Sequence, residues 1–321
     1  MKREMHVDYI GHKKIYFAIS SILILLTIVL SFVLGVQLDI EFKGGTLITY
    51  SYVGSLDIQD AEKTIENALG EKVDIRESTD MVSDKSNLVV SLVREGGISS
   101  DDQAALTQAL QDQYPDNAFE VASSSSVDPT IGKEFFAKCM VASAFALLLM
   151  VIYIAFRFRK IGGWSAGVFA VVALVHDVIM VYATFVICQI PLNNNFIAVV
   201  LTIFGYSIND TIVIYDRIRE NEKLYGSKVP FVELVNKSIN QSFARSINTS
   251  ISTIMALFVV AAVALIFNIT SIWSFAFPMI IGMVSGCYST LCITPTLWVT
   301  WLTRRGGKQD RSKAVYKKKS A

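Results

Sequence analysis

Six stretches of this chain carry long apolar runs, at 15–36, 135–156, 164–187, 196–215, 247–267 and 275–297. Each supplies about 20 residues, enough for a helix to cross a hydrocarbon layer of about 30 Å. Between the first run and the second the rhythm changes. After a turn signal at Lys43–Gly45, segment 46–52 is rich in strand-forming residues. Segment 57–69 then places Ile58, Ala61, Ile65, Ala68 and Leu69 at helical spacing behind an acidic start that suits the helix dipole. Segments 73–77 and 87–93 predict two strands. A second helix is predicted over 99–113, with Ser99 or Ser100 as N-cap and Ala105, Leu106, Ala109 and Leu110 inward. A last strand is expected over 118–122, and the serines from Ser123 to Ser126 with the following VDPTIG are expected to form a linker. The order β-α-β-β-α-β is that of a ferredoxin-like unit, a four-stranded sheet with two helices on one face. The expected fold class is an α-helical membrane protein with six transmembrane helices and a small α+β ferredoxin-like domain between helices 1 and 2.

Composition agrees, with 52% hydrophobic and 18% charged residues over 321 positions. Basic residues precede the first run, as they do in a signal peptide. Its 22 residues exceed an ordinary h-region and no small-residue cleavage site follows, so the segment is expected to be retained. The domains then read as an N-terminal tail (1–14), a first span (15–36), an external domain with its linker (37–134), spans two to six (135–303) and a basic tail (304–321). The net charge of +1 conceals an asymmetry. Segment 37–134 holds 19 acidic and seven basic residues, while 21 of the 29 Lys and Arg fall on one side of six alternating spans. By the positive-inside rule both termini are expected on the cytoplasmic side. Trp164, Trp273, Trp298 and Trp301 lie near span ends, where amphipathic aromatics favour the interface. Pro278 and Pro295 are expected to kink span six, and the Gly163–Gly167 and Gly282–Gly286 spacings to bring helices close.

None of the four Cys lies in 37–134, which excludes a disulfide framework there. No Cys/His cluster has metal-ligand spacing and no catalytic set is visible, so neither an enzyme nor a metal centre is expected. The chemistry lies instead in polar residues within the spans. Asp210, preceded by Asn209, sits in span four, roughly 6 Å to the cytoplasmic side of its midpoint at about 1.5 Å per residue. An Asp at the centre of a membrane helix costs on the order of 2.5–3.5 kcal/mol on insertion scales, and such residues usually serve ion or proton movement. Arg245 opens span five, followed by SINTSIST. There Ser246, Thr249, Ser250 and Thr253 share a face, with Arg245, Asn248 and Ser252 beside it. Asp210 and Arg245 lie in the cytoplasmic halves of consecutive antiparallel spans and are expected to approach. Asn209, Ser207, Asn248, Thr249 and Ser250 would complete a polar track. Asp210 either carries a proton or cation, or makes a structural ion pair. Arg245 either pairs with it or snorkels to the surface. Asp177, in the middle of span three, is open to both roles. His176 points about 100° away from it on the same helix, which argues for a helix contact rather than a dyad.

The same residues carry a resemblance. GYSINDTIVIYDRIREN, from Gly205, closely resembles the fourth-span signature of the SecF family of bacterial protein-export membrane subunits. In the right order, DIEFKGGT (from Asp39) resembles that family's motif after span one and VDPTIGKE (from Val127) its following segment, with Asp128 where the family has Gly. LVHDV (from Leu174) resembles the His–Asp of span three, and ARSINTS (from Ala244) the Arg–x–x–x–Thr–Ser of span five. The resemblance covers roughly 8–303. It implies a six-span half of an RND-type fold in the cytoplasmic membrane, paired with SecD and acting after SecYEG and SecA, with YajC and YidC as further partners. It also implies that the proton gradient, rather than a cofactor, supplies energy for moving unfolded polypeptide, and it involves no nucleic acid. Asp210 and Arg245 become proton-pathway residues, and the matching acidic residue of SecD is not in this chain. An RND-related exporter of small molecules or lipids is the rival reading.

Overall fold

A computed structural model describes residues 7–79, 85–92, 98–225, 228–267 and 269–304. The basic tail beyond Arg304 and the first six residues lie outside it. Helix α1 (Lys13–Leu34) leads into a short α2 (Ile40–Lys43) and then into a sheet unit. That unit runs β1 (Gly45–Val53), α3 (Ile58–Leu69), β2 (Asp74–Thr79), β3 (Lys85–Leu92), α4 (Ser100–Gln113) and β4 (Glu120–Val127). Asp57 caps α3 and Ser99 caps α4 through side-chain oxygens, satisfying first-turn N–H groups that have no helical partner.

The strands form one sheet in the order β2-β3-β1-β4, with every neighbour antiparallel. Alternation along β1 sends Ile48, Tyr50 and Tyr52 to one face, where they meet Leu88 and Val90 of β3, Ile65 of α3, Leu106 and Leu110 of α4, and Phe119. One expectation is corrected. The serine run is not a linker, because Ser123, Ser124, Ser125 and Ser126 pair with Thr49, Ile48, Leu47 and Thr46 as the edge strand β4. Serine is a poor strand former alone, but the long central β1 offers an unpaired ladder, and backbone pairing outweighs propensity. Directly after it Asp128 accepts a hydrogen bond from Thr130 N, so the chain passes from strand to helix without slack.

Among the described residues, six helices are long and apolar enough to cross a membrane. They are α1, α5 (Pro129–Arg157), α6 (Gly163–Ile187), α7 (Asn194–Tyr225), α8 (Phe231–Ile266), and α9 (Thr270–Tyr288) continued by α10 (Thr294–Arg304). Between α9 and α10 lies a single π-helical stretch, Ser289–Ile293. Pro295 cannot donate to the carbonyl one turn back, and the wider turn ahead of it absorbs that loss. Helices α6, α7 and α9–α10 form the interior. By contrast, only 17% of the apolar window of α5 and of α8 is buried.

The glycine spacings do mark close approach. A Cβ on Gly163 would collide with Ala155 O of α5, and one on Gly282 would come within 2.7 Å of Val181 on α6. Two further expectations change. Trp298 is no interfacial anchor. It is fully buried, its ring centroid lies 5.3 Å from Tyr215 and 5.6 Å from Phe231, and Nε1 donates to Ser165 Oγ at 3.0 Å. Nor does Arg245 open its helix, since α8 begins fourteen residues earlier at Phe231. The added turns of α7 and α8 zip together through Asn221, which donates to Ser238 Oγ and Gln241 Oε1, both at 2.8 Å.

The sheet unit is anchored to the helices through the segment after α1. Asp39 N donates to Leu192 O (3.0 Å) and Leu192 N to Gln37 O (2.8 Å), a parallel bridge to the α6–α7 loop. Glu41 accepts from Asn194 N at 2.8 Å, closing the first turn of α7. Phe42 packs on Phe135 and Phe136 of α5, and Gly132 lets that helix pass against the backbone of 41–44.

Candidate functional site

The interior helices bring together two carboxylates, and they are built differently. Asp177 of α6 is completely buried. Ser207 Oγ of α7 donates to its Oδ2 at 2.9 Å, and Ser289 Oγ of the π stretch donates to the same oxygen at 2.8 Å. Ser285 Oγ of α9 donates to Oδ1 at 2.7 Å. Gly286 faces this cluster, and a Cβ there would sit in ordinary contact with Ser207 Cβ at 3.5 Å and Asp177 Oδ2 at 3.7 Å. Three hydroxyls from three elements therefore replace the hydration that this carboxylate loses.

His176 and Asp177 also touch, with Nδ1 and Oδ1 3.3 Å apart, contrary to the expectation that adjacent helical residues diverge too far. Their Cα–Cβ directions diverge, yet both side chains turn toward Ser285 of α9, whose Oγ lies 2.7 Å from Asp177 Oδ1 and 3.5 Å from His176 Nδ1.

Asp210 of α7 is 4% exposed, and its Oδ2 has no hydrogen-bond partner among the described residues. Its polar neighbours on α8 are Ser246 and Arg245. Ser246 Oγ is likewise buried and, among the described residues, has no partner within strict hydrogen-bond geometry, Asp210 being the nearest carboxylate it could serve. Leaving a buried polar atom unmatched costs about 1–3 kcal/mol, and more where charge is involved. Among the described residues Asp210 is thus less fully matched by hydroxyl donors than Asp177.

The expected polar track divides in two. Ser207, Ser246 and Ser250 point inward, and Tyr206 donates to Ser250 Oγ at 2.8 Å. Asn209, Arg245, Asn248 and Thr249 are exposed on the outer surface of α7 and α8. Thr249 and Thr253 turn their hydroxyls back onto carbonyls one turn earlier, at 2.9 and 3.0 Å, and do not reach Asp210. Sequence reasoning missed Ser285, Ser289 and Tyr206. The signal was available: Ser285 and Ser289 stand four residues apart beside Gly282 and Gly286, in a stretch read only as packing.

This geometry has relatives. Residues 106–304 match the family described as "Protein export membrane protein SecD/SecF, C-terminal". The chain belongs to the SecD/SecF family. Among SecD/SecF proteins, it is 32% identical over 301 residues to the protein translocase subunit SecF of Endomicrobium trichonymphae, covering 93% of this chain and 92% of that one. The translocase subunit SecDF of Bacillus subtilis is also 32% identical, over 92% of this chain but only 38% of its own length. The crystal structure of SecDF, a translocon-associated membrane protein from Thermus thermophilus, superposes with a TM-score of 0.79 at 29% identity, over 94% of this chain. The chain spans 39% of that SecDF structure.

Proposed function

We propose that this chain is a SecF-like auxiliary subunit of the Sec protein translocase, the half of a two-part machine whose other half is SecD-like. In this reading the proton-motive force, acting through Asp210 and Arg245, moves the sheet unit to promote export of polypeptide delivered by SecA and SecYEG. YajC and YidC are further partners, and the chain performs no chemical catalysis. The carrying observation is the exposed polar strip of Asn209, Arg245, Asn248 and Thr249 beside the buried Asp210, near where the apolar stretch of α7 ends and that of α8 begins. Lipid cannot satisfy such groups, so a protein surface of complementary polarity is expected to cover them. The fused SecDF relatives, of which this chain matches about two-fifths, support a SecD-like half as that cover.

The distribution of Lys and Arg supports cytoplasmic termini in a bacterial cytoplasmic membrane, with the sheet unit on the opposite side. Strand order β2-β3-β1-β4 with a helix in each crossover supports a ferredoxin-like reading of that unit. In the coupling step, a proton on Asp210 removes the charge that Arg245 faces, and its loss restores that charge. The two states therefore favour different positions of α7 against α8. The membrane potential adds about 2.3 kcal/mol per unit charge per 100 mV, enough for one proton to bias such a shift.

The test uses the chain reconstituted with its SecD-like partner and SecYEG. Asp210→Asn should leave copurification of the partner intact and abolish stimulation of export by a proton gradient. Undiminished stimulation in the assembled variant would refute the proton role.

A further inference from the structure

The sheet has a second face, which α3 and α4 leave uncovered. On β1 and β3 the residues between the core positions point to it, so Leu47 stands opposite Ser91 and Thr49 opposite Val89. On β2, Asp74 lies across from Ser91 and continues the row. Against this face lies a groove of about 430 Å³. Its other wall is Leu38, Ile40 and Lys43 of the segment after α1, with Pro191 of the α6–α7 loop and Thr270 at the start of α9. The volume falls in the range of about 300–1,000 Å³ usual for ligand pockets.

The lining is of two kinds. Thr49, Asn87, Ser91 and Thr270 carry side chains that both donate and accept hydrogen bonds, and Leu47 and Val89 stand among them as apolar positions. An extended polypeptide presents N–H and C=O groups along its length and sends successive side chains to opposite sides. Such a chain can satisfy its backbone on the hydroxyls and the amide while alternate side chains rest on the apolar positions. No particular sequence is required for that. Charge adds a preference. Among the described lining residues, Asp39, Asp74 and Glu77 stand against one cation, Lys43. Asp39 accepts from Glu41 N as the cap of α2, and Glu77 accepts from the Tyr52 hydroxyl. Asp74 is exposed, level with Ser91 on the groove side. A lining of net negative charge attracts basic side chains.

We infer that the groove between the open face of the sheet and the outer end of the helices holds an extended stretch of the exported polypeptide, with a preference for segments carrying Lys or Arg. The inference rests on the export reading above and gives it a place of contact. Both walls come from this chain, which leaves a slot suited to a single extended strand rather than to a folded surface. One wall belongs to the sheet unit and the other to the helices and their loops. Any movement of one against the other therefore acts directly on the segment held between them.

The test uses the chain assembled with its SecD-like partner and SecYEG in vesicles, with an export substrate arrested part-way by a folded C-terminal domain. Asn87→p-benzoylphenylalanine puts a photoreactive group in the lining, and Gln108→p-benzoylphenylalanine puts one on the exposed side of α4 as a control. Irradiation should join the arrested substrate to position 87 and not to position 108. Exchanging Lys for Glu in the arrested segment should lower the yield at 87 about tenfold, the scale of turning a surface attraction into a repulsion. Adding Val89→Trp should fill the groove and abolish the adduct. Should that variant fail to copurify with the partner, Asp74→Lys takes its place and should lower the yield as the Glu substrate does. An adduct with the partner subunit, a second copy of this chain or lipid in place of the substrate would overturn the inference. So would a substrate adduct that the groove variant leaves unchanged. Stimulation of export by a proton gradient is measured in the same vesicles. An absent adduct with stimulation intact removes the groove alone, whereas an adduct without stimulation keeps the groove and removes the proton-driven reading.

Discussion

A hydroxyl is a small group, yet three of them decide whether Asp177 can exist where it does. Ser289→Ala removes one donor to a buried carboxylate oxygen, and about 1–3 kcal/mol of stability should go with it. Chemical denaturation of the detergent-solubilised protein measures that loss, and an unchanged midpoint would mean that water replaces the hydroxyl. In the sheet unit, Tyr52 gives a pH-dependent counterpart. Burial pushes its phenol up to about 12, helped by the hydrogen bond it donates to Glu77. A folded pKa raised above the unfolded value of about 10 means that the unfolded chain loses its proton first. The contribution of Tyr52 is therefore complete below pH 10 and declines as pH rises toward 12. Tyr52→Phe should flatten that decline, as read by near-ultraviolet circular dichroism of the full chain across the window.

Among the elements, β4 and α8 depart most from what their residues suggest. Four consecutive serines read as a flexible tether, and only the register against β1 makes them a strand. Alternate residues of an edge strand point their N–H groups inward, so replacing both Ser124 and Ser125 by proline must remove one ladder bond. The double variant should make the 120–127 segment sensitive to proteases, whereas a true linker would tolerate it. Helix α8 was legible as an apolar run from 247, but its first sixteen residues mix apolar with polar and charged positions and fall short of a spanning hydropathy signal. They are helical because they pack against the extended end of α7, with Leu234, Val235 and Ile239 buried. Local propensity does not reveal such a face until its partner is in place.

For the whole molecule, the tie between the helices and the sheet unit is the feature to account for. The DIEFKGG segment connects them, bridged to the α6–α7 loop by backbone bonds and stacked on α5 through Phe42. Phe42→Ala should cost about 3–5 kcal/mol locally, as large-to-small changes at buried aromatics do. Hydrogen exchange should accelerate across 39–46 while α6 and α9 keep their protection. Equal acceleration everywhere would mean that Phe42 supports global folding instead. The N-terminal segment makes a second tie. Asn236 and Asn240, one turn apart on α8, bind the backbone of Val7 and Tyr9 and so connect the start of α1 to the helix carrying Arg245.

Hydropathy and spacing alone determined the six long apolar helices, the β-α-β-β-α-β order and the presence of costly charges in apolar surroundings. Each of these is set by short-range periodicity or by the solvent that a run of side chains can accept. Which of those charges is satisfied was decided only by tertiary structure. Asp177 acquired donors from three elements distant in sequence, and Asp210 kept an oxygen unmatched among the described residues, beside Ser246 and Arg245. The contact between His176 and Asp177, with Ser285 of α9 beside both, likewise appears only in the folded chain. A hydrogen bond requires two atoms within about 3 Å, and no one-dimensional pattern carries that distance.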